Sequence, residues 1–166
     1  MNPRLRPFSM SPFDKKMLEE AALLVLIAPS HPFTNKEMSR VRDFVYRGGI
    51  LILSVGWEEK EASLPLMESF GFSIDYLPLA QFISVIPNAN QRVRLFEAWP
   101  VVSSGEKSEV IAAYQTFPVV MKNSYGKGTV VMIGDSSFFW NTNLEMEEST
   151  IQENINFLQW LLNSIK

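Results

Sequence analysis

Three residues of this chain have the types that hydrolytic chemistry uses. Ser54 closes the apolar run Ile50-Leu51-Ile52-Leu53, His31 is the single histidine, and Asp135 stands in Gly134-Asp135-Ser136-Ser137 after a second apolar run. A serine hydroxyl becomes a nucleophile only when a base takes its proton, and an imidazole is a directed base only when a carboxylate orients it. Ser54, His31 and Asp135 are therefore the candidate catalytic set, with Glu58 or Glu59 as alternative orienting acids. The same residues have plainer uses. A His-Pro loop before a helix serves as a turn, and a serine ending a buried strand bonds backbone.

Around these three, Ser30, Trp57, Glu58, Ser136, Asn141 and Asn143 are the candidate ligand-binding residues, of a kind that holds a small polar molecule such as a carbohydrate. Asp135 or Ser136 has a structural alternative as the cap of a helical turn beginning near Ser137. Asp135, Glu58 and Glu59 offer only oxygens for a metal, with no ligand spacing, so no metal site is expected. No cofactor motif is present. Phe138, Phe139, Trp140 and Trp57 flank the same region and are expected in the core; exposed together, they would anchor a protein partner.

Elements that would position this set can be read from pattern. Residues 23–28, Leu-Leu-Val-Leu-Ile-Ala, and residues 50–53 are apolar without alternation, the pattern of parallel strands covered on both faces. Between them Thr34-Asn35-Lys36-Glu37 is a capping box, Phe33 and Met38 occupy staple positions, Met38, Val41, Phe44 and Val45 share one helical face, and Gly48-Gly49 ends the helix. The result is a strand, helix, strand unit, right-handed by default. A shorter helix start lies at Ser11-Pro12-Phe13-Asp14, with Met17, Leu18 and Ala21 facing inward.

Beyond a helix expected over residues 64–70, ended by Gly71, short strands are expected at 72–76, 81–86 and 93–96. Strands at 109–114, 117–122 and 129–133, split by Gln115-Thr116 and by residues 123–128, describe an antiparallel meander joined to the parallel sheet. Thr150-Ile151-Gln152-Glu153 is a second capping box. Ile151, Ile155, Leu158, Leu162 and Ile165 form the apolar face of the helix it opens, widened by Trp160 and Leu161.

Composition bounds the function. A chain of 166 residues, 46% hydrophobic, is right for one domain spanning 1–166 with a sizeable core. The formal charge of −3 is spread along the chain, and the small basic groups Arg4 and Arg6, Arg40 to Arg47, and Arg92 with Arg94 are solvated faces; no nucleic-acid partner is expected. The absence of cysteine excludes disulfides, thiolate metal sites and a thiol nucleophile. The longest apolar run, 21–29, is less than half a membrane span, so a soluble chain with no membrane span is expected, its compartment open.

The segment Ala28-Pro-Ser-His-Pro-Phe-Thr-Asn-Lys-Glu-Met-Ser-Arg-Val-Arg-Asp-Phe-Val-Tyr-Arg-Gly-Gly-Ile-Leu-Ile-Leu-Ser54, the later GKGTVVMIGDSSFFWN from Gly126 to Asn141, and ENINFLQWLLN from Glu153 to Asn163 together resemble class I glutamine-amidotransferase-like domains. The resemblance is to their non-catalytic branch, which includes bacterial and archaeal domains of unknown function and the N-terminal domain of an intraflagellar transport complex B subunit. It covers the chain from Met17 onward. The fold this implies is α/β, a flavodoxin-like three-layer sandwich with a mostly parallel sheet plus antiparallel strands. The usual first βα unit is missing: either Leu5 to Phe8 supplies an edge strand, or the chain is part of a longer protein.

In the catalytic branch a cysteine sits on a sharp turn of G-x-C-x-G type, and a later His-Pro-Glu supplies base and acid. Here Ser54 falls in the nucleophile slot with Gly56 after it, Ile52 replaces the first glycine, and Gly134-Asp135-Ser136 stands in place of His-Pro-Glu. The resemblance thus implies a non-enzymatic binding or assembly module whose partner is a protein or neighbouring domain. The alternative is a hydrolase or small-ligand domain using Ser54, His31 and Asp135.

Overall fold

The computed structural model describes residues 15–86, 89–105, 108–144 and 152–165. Along the chain these form α1 (Lys15–Glu20), β1 (Leu23–Ile27), α2 (Asn35–Tyr46), β2 (Ile50–Ser54), α3 (Lys60–Ser69), β3 (Phe72–Ile74), β4 (Phe82–Ile86), β5 (Gln91–Leu95), β6 (Val101–Ser103), β7 (Glu109–Tyr114), β8 (Phe117–Tyr125), β9 (Gly128–Ile133), α4 (Asn141–Leu144) and α5 (Glu153–Ser164). The main sheet has the order β1-β2-β9-β8-β7. Its first three strands run parallel, and β9, β8 and β7 form the antiparallel meander. Two small antiparallel pairs, β3 with β6 and β4 with β5, stand beside it.

Alternation along the central strands divides the core between the two sheet faces. Leu51 and Leu53 of β2 and Val130 and Met132 of β9 join Val41, Phe44 and Val45 of α2 and Leu66 and Met67 of α3 on one face. Ile52, Val131 and Ile133 join Val93 and Leu95 of β5 and Phe157 and Leu161 of α5 on the other. The result is a mixed α/β architecture with both faces of the sheet covered.

The capping box of α2 forms in full: the Thr34 hydroxyl accepts from the Glu37 N–H at 3.3 Å, and the Glu37 carboxylate accepts from the Thr34 N–H at 2.8 Å and from its hydroxyl at 2.7 Å. Those hydrogen bonds, the hydroxyl's first and the amide's second, hold the Glu37 carboxyl below the usual glutamate range. Phe33 and Met38 both pack against the helical face of the core. Gly49 then returns the chain to the sheet so tightly that a Cβ there would lie 2.3 Å from the Phe44 ring.

Several expectations are corrected. Among the described residues the run at 23–28 lies at the edge of the sheet rather than in its centre. It pairs only with β2 among the described residues, so most of its side chains are half-buried and Ile27 is 47% exposed. Met17 faces outward where Leu18 is buried, and the cap at Ser11 to Asp14 and the segment Leu5 to Phe8 lie outside the described residues.

Helix α3 begins at Lys60, four residues before the expected start, and accommodates Pro65 within it. Strand β8 continues to Tyr125 because the two-residue turn Gly126-Lys127, with Gly126 at φ 60°, extends its ladder with β9. Strand β6 carries no signal in the sequence pattern. For α5 the described N-cap is Gln152, without a side-chain bond, and the Thr150 and Ile151 of the expected capping box lie outside the described residues. Its buried stripe is Asn154, Phe157 and Leu161, with Leu158, Trp160, Leu162 and Ile165 at the margins.

Candidate functional site

Parallel pairing of β2 with β9 puts Ser54 beside Ile133, so the two chains leave the sheet together at its carboxyl edge. There the Val55 N–H donates to the Ile133 carbonyl and the Ala28 N–H to the Ser54 carbonyl. The Ser54 side chain is fully buried, and its hydroxyl donates to the Asp135 backbone carbonyl at 2.5 Å. Its proton is therefore directed at a carbonyl rather than at an imidazole.

Asp135 is equally buried and is the organising group of this edge. One carboxylate oxygen accepts from the Ser137 N–H at 2.9 Å and the Ser137 hydroxyl at 2.8 Å. The other accepts from the Phe96 N–H at 2.7 Å and the Glu97 N–H at 3.3 Å. A carboxylate with four donors can be buried at tolerable cost, because its lost hydration is replaced. It caps the 136–139 turn and holds the segment after β5 across the strand ends. That segment closes further through the Trp99 N–H, 2.6 Å from the Gly134 carbonyl. A Cβ on Gly134 would lie 2.1 Å from the Trp99 carbonyl oxygen, so glycine is what permits this approach.

The other sequence candidates divide. His31 and Ser30 are exposed and bond each other, the Ser30 hydroxyl lying 3.0 Å from His31 Nδ1, and no hydrogen bond joins His31 to Ser54. Ser136 packs beside Gly56, and Glu59 accepts from the Gly56 N–H at 3.0 Å. The Asn143 side-chain amide donates to the Ser137 carbonyl at 2.8 Å, whereas Asn141 and Glu58 are exposed. Phe138 is in the core, edge-on to Phe139 and Phe157, but Trp140 is 58% exposed, contrary to the expected core placement. The acidic run Glu145 to Glu148 lies outside the described residues. Among the described residues no three His, Asp or Glu side chains are placed to hold a metal ion, and no helix is long and apolar enough to cross a membrane.

Sequence reasoning missed two features. Asn154 works as a surrogate strand partner: it accepts from the Arg94 N–H at 2.8 Å and donates to the Arg94 carbonyl at 3.0 Å and the Asn143 carbonyl at 2.9 Å. Arg92 and Arg94 reach Glu153 beside it and are thus part of the α5 contact, not merely solvated.

The second feature is an aromatic group on the carboxyl edge. Trp57 lies 4.6 Å from Tyr76 and 5.8 Å from Trp99 between ring centroids, and Tyr76 is stacked on Trp99 at 6.0 Å. The Asp75 N–H, donating to the Pro100 carbonyl at 3.0 Å, draws the β3 exit to Trp99. Lys60 places its ammonium 4.1 Å from the Trp57 ring centre. The three rings come from stretches with no common spacing, so no sequence signal links them.

A family profile matches residues 4–162, almost the whole chain. The chain belongs to the family Domain of unknown function (DUF4350). A search of curated proteins found no match. Among solved structures, this DUF4350 chain is similar to the mmIFT52 N-terminal domain, with a TM-score of 0.72 and 12% identity over 93% of this chain and 81% of that one. It is also similar to the Cytoplasmic Protein STM1381 from Salmonella typhimurium LT2, with a TM-score of 0.60 and 17% identity over 94% and 76% of the two chains. A beta-galactosidase from Bacillus circulans sp. alkalophilus shares the fold at a TM-score of 0.53 and 17% identity, and there the match spans 90% of this chain but 24% of the galactosidase. At these identities the likeness is one of fold.

Proposed function

We propose that this DUF4350 chain is a non-catalytic binding or assembly module whose working face is the carboxyl edge of the sheet. On this reading residues 1–166 form a single amidotransferase-like domain of flavodoxin-like type, and its partner is a protein or neighbouring domain. The observation that carries the proposal is the contrast at that edge: the polar groups at the strand ends, Ser54 and Asp135, are fully buried and spent on internal hydrogen bonds, while the aromatic group above them reaches solvent. The alternative, hydrolysis by Ser54, His31 and Asp135, would require Ser54 to leave the Asp135 carbonyl and His31 to leave the surface. It would also need room for substrate where the side chains are close-packed.

Two measurements test the proposal. A fluorophosphonate probe should leave Ser54 unlabelled in the folded chain; labelling that disappears in Ser54→Ala would establish a serine hydrolase instead. A photo-crosslinking amino acid placed at Tyr76 should capture a defined partner in the expressing cells, whereas the same group at Val110, on the far strand β7, should not. Equal capture at both positions, or none at Tyr76, would remove the carboxyl edge as the working face.

A further inference from the structure

Resting on the binding-module reading, we infer that the Trp57, Tyr76 and Trp99 group recognises a basic, arginine- or lysine-bearing segment of a protein partner, and that Lys60 occupies that place until the partner displaces it. Tyr76 is 68% exposed although its ring joins two half-buried tryptophans. An aromatic ring has a negative face, and a cation over it is attracted most strongly when it has shed part of its water. The chain already makes this contact with itself, through the Lys60 ammonium over Trp57. The ring face therefore already accepts a cationic side chain.

Charge around the group points to the same ligand. Glu58 follows Trp57, Asp75 precedes Tyr76, and Glu97 lies two residues before Trp99; all three are exposed, whereas Lys60 is the one cation on the aromatic group among the described residues. Carboxylates in this position repel an anionic ligand and raise the local concentration of a basic one. Arginine suits the site best, since its planar guanidinium stacks on an aromatic face and still offers donors to a neighbouring carboxylate. A neutral oligosaccharide would use the rings but gain nothing from the charges.

The test is calorimetric titration of the full chain with a tetra-arginine amide, a tetraglutamate control and cellotetraose. The tetra-arginine peptide should bind saturably and more weakly as salt is raised. Tyr76→Ala, which removes an exposed ring, and Trp57→Ala should each weaken it about tenfold, and Lys60→Gln should tighten it about threefold by removing the competitor. Binding unchanged in folded Tyr76→Ala would overturn the inference by placing the peptide elsewhere, and weaker binding in Lys60→Gln would overturn the displacement. Binding of cellotetraose alone would replace the ligand class while leaving a binding module. Failure of every probe would overturn the basic-segment inference, and the Tyr76 crosslink judges the module reading separately.

Discussion

The same strands β2 and β9 end in two different ways. At their amino edge the chain is closed by glycine: a Cβ on Gly128 would lie 2.2 Å from the Val45 carbonyl oxygen and 2.3 Å from that of Gly49, and one on Gly126 would lie 2.6 Å from the backbone of Tyr46. Backbone packs on backbone at these two glycines. At their carboxyl edge the chain is closed by side-chain polarity, with Asp135 and Ser54 tying three loops together. Close packing tolerates little change anywhere. A hydrogen-bonded bracket, however, can be covered by side chains of differing exposure, as it is by half-buried Trp57 and Trp99 and exposed Tyr76. This difference is why the proposed working face is the carboxyl edge.

The comparison can be broken most forcefully at Asp135. Asp135→Ala would strand four donors, the two of Ser137 buried and those of Phe96 and Glu97 partly so, and a loss of about 4 kcal/mol in urea unfolding is expected; a loss below about 1 kcal/mol would mean the bracket does not hold the edge. Gly128→Ala attacks the opposite edge and should cost on the order of 3 kcal/mol, because carbonyl groups cannot rotate away as a side chain could. Ser54→Ala should cost about 1 kcal/mol, for one hydrogen bond lost, and leave partner capture at Tyr76 intact. Loss of capture with stability preserved would give Ser54 the functional role denied it above.

Smaller effects sharpen the picture. Thr34→Ala should remove about 1 kcal/mol through the lost cap of α2. The folded Glu37 carboxyl titrates below its unfolded value, so its contribution is fully present above the ordinary glutamate range and fades as pH falls through the lowered folded value. Glu37→Gln should abolish that part of the pH dependence, seen by comparing urea midpoints of the two proteins at neutral and acidic pH. Tyr76→Ala should change stability by less than about 0.5 kcal/mol, as expected of an exposed side chain.

What was legible in the sequence follows the range of the interactions involved. The capping box at Thr34 and Glu37, the Gly48-Gly49 stop, and the meander turn at Gln115-Thr116 depend on residues a few positions apart, and all three formed. The edge placement of β1 could not be read, because an apolar run records how hydrophobic a strand is and not whether a neighbour covers it. The stripe of α5 was displaced for a related reason: Asn154 is polar by type and buried by partnership, and its partner at Arg94 is distant in sequence.

The candidate site shows the same division. Sequence alone determined that Ser54 and Asp135 each follow an apolar strand, that cysteine chemistry is absent, and that polar residues after such strands fall at a carboxyl edge; the pairing of β2 with β9 was decided by the tertiary structure. Tertiary structure alone decided that the Ser54 hydroxyl meets a carbonyl, that His31 stays at the surface, and that Trp57, Tyr76 and Trp99 meet. Local sequence sets backbone propensity and hydrophobic period, whereas the use of a polar or aromatic side chain depends on which groups distant in the chain arrive within hydrogen-bond or ring-contact distance.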